Sequence, residues 1–369
     1  MSSVASTGAD AGVVEPPRGS RTSRAVKSVV GIALAVALLA WALPHFAKTS
    51  WADVWRVLSA VPLPTLLGLF GLMLGGLWLY TFTFTGSLPY LAHHKALIVN
   101  VCGSSVGNLL PGGGAAGVAV TYTQLRSWGI SRRDISTSII VTGVWNVLAR
   151  LALPVVGILI MLTQAGQLNP LVLNVALTGA TGGILVLGAF IAVLASERAA
   201  QVAGRILDRI AAPIRRWRAG RKARRTGVAA SVSTASPRLE SLVTDLRTRT
   251  INVVRTGWLQ MTFGMVGFFA MFYLLFWFCL NTVGVQFPFP YMFFAFTLSR
   301  LLTAVAVTPG GMGVTETATA SLMVGWGADP AQATAGVVLF SLFTNFLEVP
   351  LGAIGWVFWS LSPKNPATD

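Results

Sequence analysis

The sequence predicts an all-α integral membrane protein: six full spans plus two re-entrant helical hairpins, about eight hydrophobic segments, arranged as an inverted repeat. Three observations predict it. Apolar residues make up 54% of the 369 positions and charged residues 11%, with mean hydropathy +0.69, whereas a soluble domain is about one quarter charged. Two Pro-Gly-Gly runs, at 111–113 and 309–311, interrupt long apolar stretches. Residues around these runs match at a spacing of 198, and the charges flanking the two stretches imply opposite orientations in the bilayer.

A membrane span needs about 20 apolar residues. Six stretches qualify: 26–47, 63–85, 135–162, 171–195, 257–281 and 332–361. The first follows Arg21, Arg24 and Lys27, and its apolar run from Ser28 to Leu43 is long for a signal peptide, so it reads as a retained anchor. Residues 1–24 read as a disordered cytoplasmic tail and 25–361 as a single transmembrane domain, with a first half at 25–195 and a second at 257–361. Cys102 and Cys279 lie inside apolar stretches and read as buried small residues. His45, His93 and His94 have no ligand spacing. No metal and no cofactor is expected, and no Gly-Lys-Ser/Thr follows either glycine run to hold a nucleotide.

The net charge is +15, and its placement matters more than its size. Segment 196–256 carries 14 Arg or Lys against four acids. A basic loop between spans marks the cytoplasmic side, so this charge is a topology signal and no nucleic-acid partner is expected. Within it, 205–225 sets Ile206, Leu207, Ile210, Ile214 and Trp217 on one helical face. That pattern suits an interfacial helix on an anionic leaflet, with a protein partner as the rival reading. Counting spans outward from this loop puts the N-terminus and the C-terminus in the cytoplasm, with the chain in the cell's inner (plasma) membrane.

The interrupted stretch 96–125 has the 86–95 turn on one side and Arg126, Arg132 and Arg133 on the other. Both flanks belong inside, so the stretch enters from the cytoplasm, turns at Pro111-Gly112-Gly113-Gly114 and returns. The flanks of 288–325 hold no Lys or Arg, and Asp329 is their single acid. That stretch enters from outside and turns at Pro309-Gly310-Gly311-Met312-Gly313. Re-entrant backbone survives at membrane depth only where protein or a water-filled cavity satisfies its amides.

At the spacing of 198, Pro111 matches Pro309, Gly112 matches Gly310 and Gly113 matches Gly311, while Trp128-Gly129 matches Trp326-Gly327. Arg150 falls opposite Glu348. Inverted repeats with helices broken near the midplane are a transporter architecture, with the site where the breaks meet. Half-helix N-termini there suit anionic groups, phosphate among them. Arg150, Arg300, Glu316 and Glu348 are ionisable residues within the apolar segments. Each would cost roughly 2.5–3.5 kcal/mol at a helix centre on insertion scales. One reading pairs them as structural ions that lock the repeats together. The other sets them in a polar cavity, where arginines hold a phosphate and carboxylates hold a cationic group or a proton. Asn108, Thr121, Tyr122, Gln124, Asn146, Thr308 and Asn345 are candidates to line it, although such residues also serve as bonds between helices.

The run Pro309-Gly310-Gly311-Met312-Gly313-Val314-Thr315-Glu316, followed by a turn and a span with a polar centre, resembles the lysylphosphatidylglycerol synthase transmembrane family. These are flippase-like membrane domains related to the flippase half of the multiple peptide resistance factor. The resemblance covers roughly 25–361, and its first-half motif stands as Asn108-Leu109-Leu110-Pro111-Gly112 with Arg126 and Gly129-Ile130 downstream. It departs from the family pattern at Ala115-Ala116-Gly117-Val118 and Thr121, where relatives commonly carry Gly-Glu and an Arg. It departs again at Trp145-Asn146, where they carry a Glu-Arg pair. No aminoacyl-transferase domain accompanies these residues, so synthesis of a lysyl-lipid is not expected of them.

The expected function is movement of an anionic phospholipid or lipid-linked envelope precursor between leaflets, with membrane lipids as partners. The alternatives are an ion-coupled small-solute transporter and a non-transporting partner of an envelope-synthesis enzyme. A homo-oligomer is also left open. An enzyme is not expected, because the external loops offer only Asp53 and Asp329 as acids.

Overall fold

A computed structural model describes residues 49–110, 113–163, 237–303 and 308–365, together with His45, Asn174, Leu177, Thr178 and 181–188. For 237–252 and Pro309 it describes the backbone alone. The described residues contain helices and no strand. They are α1 (Trp51–Ser59), α2 (Leu63–Ser87), α3 (His93–Leu109), α4 (Gly114–Ser127), α5 (Arg132–Met161), α6 (Pro237–Thr282), α7 (Phe289–Leu302), α8 (Val314–Gly325), α9 (Pro330–Ser341) and α10 (Glu348–Leu361). A 3-10 turn at Pro309–Gly311 precedes α8, and a π turn at Leu342–Phe346 joins α9 to α10.

Among the described residues, four helices are long and apolar enough to cross a membrane: Leu63–Ser87, Arg132–Met161, Val253–Thr282 and the continuous Pro330–Leu361. They match four of the expected spans within a few residues. The expected spans 26–47 and 171–195 and the interfacial helix 205–225 lie outside the described residues, apart from His45 and the short pieces of 174–188. The basic loop differs from expectation at its C-terminal end. Residues 237–256 continue the span as helix, because no Gly or Pro lies between Arg238 and Thr256 to stop it and propagation adds one hydrogen bond per residue.

The central contact joins α2 and α6, which run antiparallel. Gly86 lies against Gly257, Gly264 against Thr83 and Leu79, and Gly76 against Phe272. Lipid tails are as apolar as leucine, so membrane helices associate through close backbone approach and polar bonds. Both occur here. Gln260 donates to Thr85 at 2.8 Å, and the Trp145 indole of α5 donates to Thr262 of α6 at 3.1 Å.

Two antiparallel helical hairpins pack around this pair. In the first, α3 and α4 touch through Gly103 against Gly117 and Gly107 against Gly113. In the second, Trp326 beyond α8 meets Phe287, Tyr291 and Phe294 at the start of α7. The arms have 17, 14, 14 and 12 residues. At 1.5 Å per residue none exceeds about 26 Å, short of the ~30 Å hydrocarbon core.

Local geometry recurs at the spacing of 198. Trp128 and Trp326 cap α4 and α8, and the next residues, Gly129 and Gly327, have φ of 85° and 97°. The following amides close the same six-residue loop, Ile130 to Leu125 at 3.4 Å and Ala328 to Met323 at 3.0 Å. These are Schellman caps. The next helices are then capped by Ser131 and Asp329, also 198 apart. Packing follows the same relation. Gly355 of α10 lies against Val101 and Cys102 of α3, while Gly157 of α5 lies against Thr297 of α7.

A side chain at Gly257 would strike the Gly86 carbonyl. Gly257→Val should therefore cost about 1–3 kcal/mol and lower the thermal midpoint of the purified protein in detergent. Gly71→Val meets no atom within 4 Å and should leave the midpoint in place. Equal shifts for the two would sink this account of the α2–α6 contact.

Candidate functional site

The two helix breaks meet. Gly310, in the turn between α7 and α8, has φ of 60°, a conformation that glycine adopts without steric cost. A Cβ there would sit 3.3 Å from Asn345 Oδ1 and 3.4 Å from Asn108 Oδ1. Asn108 is the penultimate residue of α3, so the tip of one hairpin lies against the tip of the other. The Asn108 amide donates to Glu348 Oε2 at 2.9 Å. Glu348 follows the π turn, a departure from regular helix that is frequent at functional sites.

Around this junction lies a cavity of about 650 Å³, within the usual range for ligand sites. Asn108, Arg150, Arg300, Asn345 and Glu348 line it, with Tyr80, Asn100, Asn146, Thr303 and Thr344. Phe268, Phe269 and Phe272 form an aromatic wall. On α5 the polar lining residues Thr142, Asn146 and Arg150 are spaced by four and share one helical face.

The cavity carries two guanidinium groups and one carboxylate. Arg150 makes a long bond to Thr303 Oγ1 at 3.5 Å. Arg300 donates to Ser299 at 3.1 Å, and its guanidinium lies 4.8 Å from the Phe340 ring centroid. The Arg300 Nε and the Asn100 Nδ2 are buried with no hydrogen-bond partner. Among the described residues, no ion pair within 4.0 Å joins Arg150, Arg300, Glu316 or Glu348; Arg56 pairs with Asp53, outside the spans. Two cations therefore face one carboxylate without contact, and donors remain available to an oxygen-rich ligand.

The structure sorts the predicted site residues. It brings Asn108, Gly113, Asn146, Arg150, Arg300, Gly310, Gly311, Asn345 and Glu348 to the cavity wall. Pro111 and Gly112 lie outside the described residues, and only the backbone of Pro309 is described. Gly313 and Glu316 sit behind the wall. Glu316 Oε2 accepts from the Gly313 amide at 2.6 Å, and its Oε1 accepts from Ser341 at 2.5 Å. This carboxylate starts α8 and ties it to α9. Gln124 is fully buried away from the cavity.

Tyr122 lines a separate pocket with Arg126, Ser127 and Lys364. Beside it the Trp128 indole donates to Ser362 and the Trp359 indole donates to Ser127, each at 2.9 Å. This reciprocal clasp holds the end of α10 to the end of α4.

Several lining residues escaped the sequence reading. Tyr80, whose hydroxyl accepts from Asn146 at 2.5 Å, and Asn100 stood in apolar stretches without a motif. The Asn100 position carries the clearer signal, since a buried amide within an apolar helix must find a partner.

The family model described as "Lysylphosphatidylglycerol synthase TM region" matches residues 28–352. No curated protein matches the chain.

Asn108→Leu strands the Glu348 carboxylate and should cost about 1–3 kcal/mol, read by thermal unfolding in detergent. Adding Glu348→Leu should recover part of that loss. Strict additivity of the two would show that the bond is not made.

Proposed function

The chain belongs to the lysylphosphatidylglycerol synthase transmembrane family, and on that premise we propose that it is a carrier rather than an enzyme, moving an anionic phospholipid or lipid-linked envelope precursor between membrane leaflets. One observation carries the proposal: two arginines, in ion-pair contact with no carboxylate among the described residues, line a cavity at the meeting point of two helix breaks. Guanidinium groups bind phosphate oxygens with charge-assisted bonds. A phosphate headgroup in the cavity is then sheltered from the hydrocarbon core while its acyl chains stay in the bilayer.

In this reading the two hairpins are re-entrant and the halves form an inverted repeat. The arms' lengths, the antiparallel packing of α2 on α6 and the recurrence of caps at 198 all support it. The basic segment 196–256 would then face the cytoplasm of the inner membrane with both termini, and the apolar pattern at 205–225 would suit contact with the anionic leaflet. Alternating exposure of the site follows from rocking one half on the other.

A second reading, an ion-coupled transporter of a small anionic solute, is favoured by Glu348, a carboxylate in the same cavity. Liposomes separate the two. The purified protein should transfer labelled phosphatidylglycerol between leaflets well above empty liposomes. Uptake of a soluble organic anion without lipid transfer would select the second reading, and neither activity would point to a non-transporting partner of an envelope enzyme.

Arg150→Ala or Arg300→Ala should lower lipid transfer about 10–100-fold, the loss of one bond to a charged group worth ~1.5–3 kcal/mol. Initial transfer rates at equal protein density measure it. Undiminished transfer in both variants would remove the arginines from the pathway.

A further inference from the structure

The two halves are closed differently along equivalent seams. In the second half, Glu316, only 1% exposed, bolts α8 to α9 through Ser341. The positions 198 earlier are Val118 of α4 and Gly143 of α5. Neither carries a polar side-chain atom, so the first half has no such bolt. Val118 is 46% exposed, and a Cβ on Gly143 or Gly114 would meet no atom within 4 Å.

The cavity reaches this unbolted seam. Gly114, Gly117 and Val118 line it from α4, and Gly143 and Val147 from α5. Among the described residues, none of its lining comes from α8 or α9. Along α5, Thr142, Asn146 and Arg150 face the cavity, while the adjoining Gly143 and Val147 form an exposed apolar rim. α5 is long and apolar enough to cross the membrane, so this rim borders hydrocarbon on one side and the arginines on the other.

We infer that the α4–α5 seam is the lateral portal through which a membrane lipid passes its phosphate headgroup to Arg150 and Arg300, with its acyl chains held against Val118, Ile140 and Val147. The inference rests on the lipid-carrier reading of the cavity and adds the path into it. A phosphate crossing into the cavity needs a gap with no charged bolt to break, and chains left outside need an apolar rim. The first-half seam has both properties and the second-half seam has neither.

Transplanting the bolt tests the portal. Val118→Glu/Gly143→Ser restores the second-half pair, and the open space at Gly143 admits the hydroxymethyl group without moving a neighbour. A second variant, Val118→Cys/Gly143→Cys with Cys102→Ala and Cys279→Ala, is bridged after folding by a reducible bismaleimide, which separates seam closure from a folding defect. Two readouts are taken on purified protein. One is phospholipid phosphorus retained after exchange into lipid-free detergent. The other is transfer of labelled phosphatidylglycerol in liposomes of phosphatidylethanolamine and phosphatidylglycerol. Closure is expected to lower both by roughly ten-fold, and reducing the bridge restores both. Unchanged retention and transfer after bridging overturn the portal. If the unaltered protein transfers no lipid yet loses its retained lipid on bridging, the portal stands and the carrier reading falls. If unaltered and bridged protein transfer lipid equally, the portal alone falls.

Discussion

Backbone amides and carbonyls freed at a helix break find no water at membrane depth, and each one left unpaired costs several kcal/mol. The turn at 308–313 meets this demand from its own neighbourhood. Thr308 Oγ1 donates to the Met312 carbonyl at 2.8 Å, Thr315 Oγ1 to the Gly311 carbonyl at 3.0 Å, and the Gly313 amide to Glu316 at 2.6 Å. Glycine supplies the left-handed conformations, with φ of 60°, 75° and 84° at Gly310, Gly311 and Gly313. With these groups paired, the turn presents Gly310 to Asn108 and Asn345. The cavity, its arginines and the meeting of the hairpins all depend on that closure.

Placing charge beside the closed turn has a physical logic. Paired with carboxylates at contact distance, Arg150 and Arg300 would be stable and inert. Held instead by Thr303, Ser299 and the Phe340 ring, they keep donors available in a site of low dielectric, where an anion's interaction with them is strong. Glu348 lines the same cavity and is itself anchored by the neutral Asn108 amide.

Much of this was legible in the residues. Four spans follow from length and hydropathy, and the hairpins from Pro and Gly set within apolar runs, because a helix break in lipid is rare enough to carry information. The recurrence of the Trp-Gly pairs was visible in the sequence, and in the structure each pair builds the same Schellman cap. The place of Glu316 was harder to read. Gly313 and Glu316 stand in the spacing of an N-cap and its N3 acid, a start signal for α8 that was present but overshadowed by the charge itself. Arg150 and Glu348 were matched by spacing, and both line the cavity. The bond from Asn108 to Glu348 depends on how the π turn rotates α10, and no residue pattern encodes that rotation. Tyr80 and Asn100 became lining residues only through tertiary packing.

The 46 residues of α6 extend well beyond the part that can cross a bilayer. Residues 237–252 prolong it by about 24 Å at 1.5 Å per residue. A helix without an internal Gly or Pro there acts as a lever. Tilting its buried portion by about 10° swings the Pro237 end by about 4 Å. That end is thereby geared to the α2–α6 contact, where Gly86 and Gly257 meet at backbone distance. A load on the Pro237 end would be felt at the crossing of Gly86 and Gly257.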